Sequence, residues 1–287
     1  MNRLLEDLLK VMTLERLELD LFRGESRDIG SPQVFGGQVL GQALVAATAT
    51  VDGGRLAHSL HAYFLRRGDC NAPIVYEVDR ARDGNHFATR RVVAIQHGEQ
   101  IFNLSASFQS AESGFEHQSP MPKVAAPDDL PNPETHAREL FATLPARARR
   151  QLELKRPFEF RFVEPLELVN PSKRPAVRHV WFRAVDRLPD DEALHRALLA
   201  YVSDYHLLET SAMPHGVSFV SERVMMASVD HAMWFHRPVR VDEWLLYATD
   251  SPSASGARGF ARGMIFSTDG RLVASACQEG LIRPVDR

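Results

Sequence analysis

Alternating hydrophobic and polar positions, interrupted by glycine-containing turns, predict that most of this chain forms antiparallel strands. Segments 91–95 and 271–276 are examples, each with β-branched and small apolar residues. Four dipeptides near such segments end in glycine, which adopts the positive φ of a tight hairpin at little cost: Asp83-Gly84, His97-Gly98, Ser255-Gly256 and Asp269-Gly270. We therefore expect hairpins in both halves of the chain.

Two segments with a different pattern predict helices. Residues 35–51 carry no charged side chain, so a helix formed by them must be buried on most sides. Gly36, Gly37 and Gly41 each weaken such a helix by about 1 kcal/mol relative to alanine. They either allow close packing against a sheet or leave amides at the helix start free to polarise a bound carbonyl group. A second helix is predicted over residues 190–209.

The strand pattern of residues 57–109 recurs in residues 228–278. The matching residues keep an almost constant offset: Phe64 and Phe235, Tyr76 and Tyr247, and Asp79 and Asp250 are 171 positions apart, and Arg90 and Arg262 are 172 apart. Gln109 matches Gln278 after a small deletion. This register predicts two structurally equivalent repeats.

Between the repeats, residues 113–133 carry five prolines, and a charged helix is predicted over residues 134–154. The expected organisation is a first repeat in residues 1–112, a linker in residues 113–155 and a second repeat in residues 156–287. One apolar helix wrapped by an antiparallel sheet is the hotdog arrangement. The predicted fold class is therefore α+β, a double hotdog.

Composition and charge argue against several classes of protein. The 287 residues have a formal net charge of -3 with scattered Lys and Arg, unlike the concentrated basic face of a nucleic-acid-binding protein. No apolar run reaches the roughly 20 residues of a membrane span, and the charged amino-terminal segment resembles neither a signal nor a transit peptide. Two cysteines are too few for a disulfide framework, so we expect a cytoplasmic location.

One carboxylate, Asp204, stands out because its face of the predicted second helix is otherwise small and apolar, with Ala197, Ala200 and Tyr201. A buried carboxylate is costly unless it is hydrogen-bonded, and burial raises its pKa towards the range of a general base. The alternative is an ordinary carboxylate that accepts a hydrogen bond from a neighbouring backbone amide.

Ser228 and Gln278 carry little information alone, but the duplication makes both more informative. Ser228 matches Ala57 of the first repeat, whereas Gln278 and Gln109 are both glutamines. The pattern fits one working site in the second repeat and one copy that has lost its polar partners.

Other kinds of site have less support. His58, His61, His231 and His236 lie near equivalent strands, but none has the spacing of an HExxH zinc helix, so no metal site is expected. His58 is either a second catalytic group or a hydrogen-bonded structural histidine. The sequence contains no GxSxG, Walker or GxGxxG motif, which argues against serine hydrolases, nucleotidases and dehydrogenases.

Several longer segments are more specific: VFGGQVLGQAL (34–44), HSLHAYFLRRGD (58–69), RDGNHFATRRVVAIQ (82–96), DHAMWFHRP (230–238) and ACQEGLIR (276–283). In these segments the sequence resembles the acyl-CoA thioesterase II (TesB-like) family of double-hotdog hydrolases. The resemblance implies an acyl-CoA substrate and an active site made of Asp204, Ser228 and Gln278, all from the second repeat. Ser228 departs from the threonine of a bacterial family member but keeps its hydroxyl group.

The resemblance also implies hydrolysis without an acyl-enzyme, and we expect no metal or redox cofactor. Asp204 would take a proton from water while Ser228 and Gln278 orient that water. Two rival functions stay open: hydration of an enoyl-CoA by the same fold, and acyl-CoA binding without catalysis. By analogy with hotdog proteins, we expect a homodimer or a homotetramer.

Substrate contacts are less well defined by the sequence. The apolar residues around Tyr201 and Leu208 suggest an acyl-chain tunnel. Arg66, Arg67 and Arg258 are candidates for contacts to the phosphates of CoA, although arginines at strand ends are usually solvated.

Overall fold

Two apolar helices lie side by side against a long antiparallel sheet. A computed structural model describes residues 1–27, 33–52, 54–131, 144, 149, 155–221 and 223–285. The helices in these residues are α1 (Arg3–Met12), α2 (Gly36–Thr48), α3 (Glu192–Ser203) and α4 (Glu209–Ala212), with single 3-10 turns at Pro127–Asp129 and Met213–His215.

All strands in the described part of the chain belong to one sheet, and every pairing is antiparallel. The strands are β1 (Glu15–Glu18), β2 (Leu21–Gly24), β3 (Leu56–Phe64), β4 (Ile74–Asp83), β5 (Phe87–Gln96), β6 (Glu99–Gln109), β7 (Phe158–Phe162), β8 (Val177–Ala184), β9 (Val224–Ser228), β10 (Asp230–Phe235), β11 (Leu245–Ser255), β12 (Arg258–Ser267) and β13 (Leu272–Pro284). Their order is β1-β2-β4-β5-β6-β3-β10-β13-β12-β11-β8-β7, and β9 also pairs with β13. The order β4-β5-β6-β3 of the first half is therefore mirrored as β10-β13-β12-β11 in the second.

The join between β3 and β10 reflects the internal duplication. Asp230 lies opposite Tyr63, and Trp234 lies opposite Ser59. Ser59 and Tyr63 are the residues 171 positions before Asp230 and Trp234, so each half contributes the same two positions to the join. The equivalence of the two repeats predicted from residue spacing is thus confirmed in the strand register.

Gly37 and Gly41 of α2 allow close approach of α3. A Cβ atom on Gly37 would lie 2.2 Å from the carbonyl oxygen of Tyr201, and one on Gly41 would lie 3.0 Å from that of Ala197. Equivalent tyrosines anchor the helices to the sheet, because Tyr76 donates a hydrogen bond to Gln42 at 2.6 Å and Tyr247 donates one to the Ser203 carbonyl at 3.1 Å. Close-packing glycines were predicted correctly, but the partner is the second helix.

The second helix is shorter than the sequence predicts. Asp191 caps its start, and it ends at Ser203 with Asp204 as the C-cap residue instead of continuing to residue 209. His206 adopts a left-handed conformation with φ of 64°, which an α-helix does not accommodate. This turn allows α4 to begin at Glu209, whose carboxylate meets the buried Arg178 at 2.8 Å.

Helix α1 was not anticipated from the sequence. Its apolar residues Leu5, Leu8 and Met12 are buried, while its charged residues occupy the other faces, so it is an amphipathic surface helix. Asn2 caps it by accepting a hydrogen bond from the Leu4 amide at 3.0 Å. The charges that break up this segment in the sequence therefore belong to the exposed side of a helix.

Three of the four predicted turn glycines, Gly98, Gly256 and Gly270, have positive φ, but Gly84 does not. The β4–β5 connection contains residues 84–86, one more than the β11–β12 connection. The predicted charged helix over residues 134–154 falls almost entirely outside the described residues, and the proposed repeat boundaries stay a prediction.

Among the helices of the described residues, none has both the length and the apolar character to cross a membrane.

Candidate active site

Asp204, Ser228 and Gln278 lie together in the structure. Gln278 Nε2 donates a hydrogen bond to Asp204 Oδ1 at 2.7 Å, and the Ser228 hydroxyl donates a second one to the same carboxylate. The backbone N–H of Gly37 donates a third. The site therefore combines the end of α3, the strands β9 and β13, and the start of α2.

Strand register brings the serine and the glutamine to the same place. Ser228, the last residue of β9, lies opposite Gly280 of β13. Gln278 is two residues before Gly280, so its side chain points to the same face of the sheet. The hydroxyl and the amide are consequently neighbours, directed towards the C-terminal end of α3.

The start of α2 makes the site a product of both repeats. A Cβ atom on Gly36 would lie only 2.8 Å from Asp204 Oδ2, so the backbone of α2 passes directly beside the carboxylate. The three residues named by the resemblance belong to the second repeat, and the Gly37 amide adds a neighbouring group from the first repeat. The close packing predicted for these glycines is present, and the Gly37 amide lies against the carboxylate of Asp204.

Burial dominates the electrostatics of Asp204. Removal from water raises the pKa of this carboxyl group, and the hydrogen bonds from Gln278, Gly37 and Ser228 offset part of that effect. The residue as a whole is partly exposed, although its carboxyl group is buried. A carboxylate with a raised pKa, held by three donors, is suited to accept a proton from a bound water.

The amide of Gln278 has one unused group. Its Nε2 contacts both Asp204 and the Nδ1 atom of His231, the latter at 3.2 Å. Its Oε1 is buried and has no hydrogen-bond partner among the described residues. A molecule with two donors can therefore bind here by donating one hydrogen bond to Gln278 Oε1 and another to the carboxylate of Asp204.

His231 was noted in the sequence only as one of four histidines. It is fully buried on β10, and burial lowers its pKa to about 4, so the ring is neutral at physiological pH. The sequence could have predicted its burial from the alternation of His231, Met233 and Phe235 along one strand, because all three face inward.

The other candidate residues lie elsewhere. His58 contacts the Ser107 hydroxyl at 2.8 Å and packs edge-on against Phe87, which fits a structural histidine. Arg66 and Arg258 are exposed and form ion pairs with the carboxylates of Glu99 and Glu279.

Aromatic side chains surround the end of α3 next to Asp204. Tyr201 packs against Phe35 with ring centroids 5.2 Å apart and against Phe158 at 6.0 Å. Tyr205 packs against Phe35 at 4.4 Å. Leu208, the other residue suggested for an acyl tunnel, lies instead against Gly280 of β13.

No group of three or more His, Cys, Asp or Glu side chains with a metal-binding arrangement occurs within the described ranges.

Comparison with known proteins identifies the family. The family model described as acyl-CoA thioesterase matches residues 149–281, and the model of the acyl-CoA thioesterase N-terminal domain matches residues 23–109. The chain is 43% identical over 283 residues to acyl-CoA thioesterase 2 of Haemophilus influenzae, covering 99% of each protein. The chain belongs to the acyl-CoA thioesterase family.

Solved structures agree with this family and with the fold. The acyl-CoA thioesterase II TesB2 from Mycobacterium marinum is 43% identical, with a TM-score of 0.80 over 97% of this chain and 99% of that one. A hotdog-fold protein of unknown function from Alicyclobacillus acidocaldarius has a TM-score of 0.79 at 18% identity, covering 98% of this chain and 99% of that one, which bears on the fold alone. The predicted family, the double-hotdog fold and the class of thioester hydrolases are confirmed.

Proposed function

We propose that this member of the acyl-CoA thioesterase family hydrolyses acyl-CoA by direct attack of water, with Asp204 as general base. The observation that carries the proposal is the buried Asp204 carboxylate, which has a raised pKa and three hydrogen-bond donors. Ser228 and Gln278 orient the attacking water, and the free Oε1 of Gln278 is the acceptor for one of its protons.

The reaction needs no covalent intermediate on the protein. Asp204 takes one proton from water as the oxygen forms a bond to the thioester carbonyl carbon. The resulting tetrahedral intermediate expels the CoA sulfur, which receives the proton from Asp204, and the products are a free carboxylic acid and CoA thiol. Holding water and thioester in attack geometry supplies much of the rate.

Thiol release from hexanoyl-CoA and palmitoyl-CoA tests this proposal. Asp204→Asn keeps the size of the side chain but removes the base, so kcat is expected to fall by about 100-fold or more. Asp230→Asn is the matched control. Asp230 is a half-buried carboxylate on the face of β10 opposite to His231, and it accepts a hydrogen bond from the Glu279 amide. Full activity of Asp204→Asn would place the base elsewhere.

The same assay separates the rival functions. Loss of enoyl absorbance from an enoyl-CoA without thiol release would indicate hydration, and saturable binding with neither signal would indicate a binding protein. Both nitrogens of His231 already contact protein atoms, so this ring does not favour hydration as a second candidate function.

The acyl chain is proposed to lie along the aromatic residues beside Asp204, including Tyr201 and Phe35. A series of straight-chain substrates from acetyl-CoA to palmitoyl-CoA tests this placement, since equal kcat/KM values along the series would contradict an apolar channel. The proposed cytoplasmic location and homodimeric or homotetrameric assembly are tested by fractionation and by light scattering.

A further inference from the structure

Two buried side chains, His231 and Ser203, lie behind Gln278 and take no direct part in the proposed reaction. His231 Nδ1 is 3.2 Å from Gln278 Nε2, and His231 Nε2 is 2.9 Å from the Ser203 hydroxyl. That hydroxyl is also 2.9 Å from the carbonyl oxygen of Ala200, one turn earlier in α3. His231, Ser203 and Gln278 are each 0% exposed, so bulk water does not compete for the contacts among them.

The positions of the protons follow from the chemistry of these groups. An ionised Asp204 only accepts, so the Gln278 atom that faces it must be Nε2, as found. The second N–H of that amide points at His231 Nδ1, which must therefore be unprotonated. The one proton of the neutral ring is then on Nε2 and is donated to Ser203, whose own proton goes to Ala200.

We propose that His231 and Ser203 are positioning residues that fix the amide of Gln278 with its NH2 group towards Asp204 and its Oε1 towards the reacting water. The inference rests on the proposed function. Ser203 selects the ring tautomer, and the tautomer supplies the acceptor for the second N–H of Gln278.

Without that acceptor, the buried amide of Gln278 has an unpaired N–H, which is unfavourable. Gln278 then rotates to find another partner, and both its bond to Asp204 and the direction of Oε1 are lost. The expected consequence is a fall in kcat of roughly tenfold or more, by the usual cost of an unpaired buried donor.

Variants at His231 distinguish this role from simple packing. His231→Asn keeps an acceptor close to the Nδ1 position, whereas His231→Gln reaches towards Ser203 and His231→Leu has no acceptor. Asparagine should retain kcat within about threefold, while glutamine and leucine should lower kcat by about tenfold or more with little change in KM. A packing role would instead make kcat follow the loss of thermal stability, irrespective of which acceptor is kept.

The outcomes have separate meanings. Folded His231→Leu with kcat within about threefold of the parent would overturn the inference, and so would equal losses in the asparagine and leucine variants. Ser203→Ala is the smaller companion change if His231→Leu does not fold, and it should lower kcat because the ring can then adopt the other tautomer. If neither the His231 variants nor Asp204→Asn lost activity, the proposed function itself would be contradicted.

A spectroscopic measurement tests the tautomer independently of activity. In protein labelled with 15N-histidine, the His231 signals, assigned by comparison with His231→Asn, should show a neutral ring protonated on Nε2 at neutral pH. A ring protonated on Nδ1 would contradict the proposed chain of donors, whatever the catalytic results.

Discussion

The substitution Gly36→Ala tests whether the start of α2 belongs to the active site. Its methyl group would lie 2.8 Å from Asp204 Oδ2 and 2.9 Å from the Phe64 ring. Both neighbours are ends of side chains, so they can move, and the helix gains up to about 1 kcal/mol in propensity from alanine. The free energy of unfolding should therefore change little.

Activity should respond much more strongly than stability. To reach the ordinary contact distance of 3.4 Å, the carboxylate oxygen of Asp204 must move by about 0.6 Å from its position at 2.8 Å. Misplacement of a catalytic group by about 1 Å costs on the order of 100-fold in rate, so a loss of roughly tenfold in kcat/KM is expected.

The assay combines thiol release from hexanoyl-CoA with thermal unfolding of the same samples. Gly41→Ala is the matched control on the same helix, because its methyl group would meet Met12 and the Ala197 carbonyl, away from Asp204. The control should lose stability and keep kcat/KM. A Gly36→Ala enzyme with parental kcat/KM would refute the placement of the working carboxylate beside α2.

Three further predictions concern titration and stability. Ser228→Ala removes a donor that holds down the pKa of Asp204, so the acid limb of the pH dependence of kcat/KM should move to higher pH, which a pH profile measures. Burial alone would raise the pKa of Glu209, but hydrogen bonds and charges from its neighbours lower this pKa to about 2. The ionised Glu209 therefore stabilises the fold above its ordinary pKa of 4.5, and this stabilisation is lost as the pH falls towards 2. Glu209→Gln leaves the buried Arg178 unpaired, so the free energy of unfolding at pH 7, measured by urea titration, should fall by about 3–5 kcal/mol. Asp250→Asn is the control in an exposed ion pair and should lower the free energy of unfolding by less than about 1 kcal/mol. Leu8→Ala should cost about 2–5 kcal/mol, and an unfolding midpoint equal to that of the parent would show that α1 is not part of the core.

Local sequence signals predicted much of this protein because they encode burial and turn chemistry. The charge-free segment that became α2 had to be buried, and close packing was one of the two roles predicted for its glycines. The constant offset between matching residues, such as Tyr76 and Tyr247, predicted equivalent repeats, and these tyrosines do anchor equivalent helices. The resemblance then named Asp204, Ser228 and Gln278, which the fold brings together.

Tertiary structure decided what these side chains contact. The end of α3 at Ser203 depends on a left-handed turn at His206 and on the ion pair of Glu209, neither of which a helical pattern contains. The contact between Asp204 and Gly37 requires α2 and α3 to pack at backbone distance. The pairing of His231 with Gln278 joins residues 47 positions apart on different strands. Periodicity tells which side chains point inward, but hydrogen-bond partners are fixed only when register and helix packing set distances to within a few tenths of an ångström.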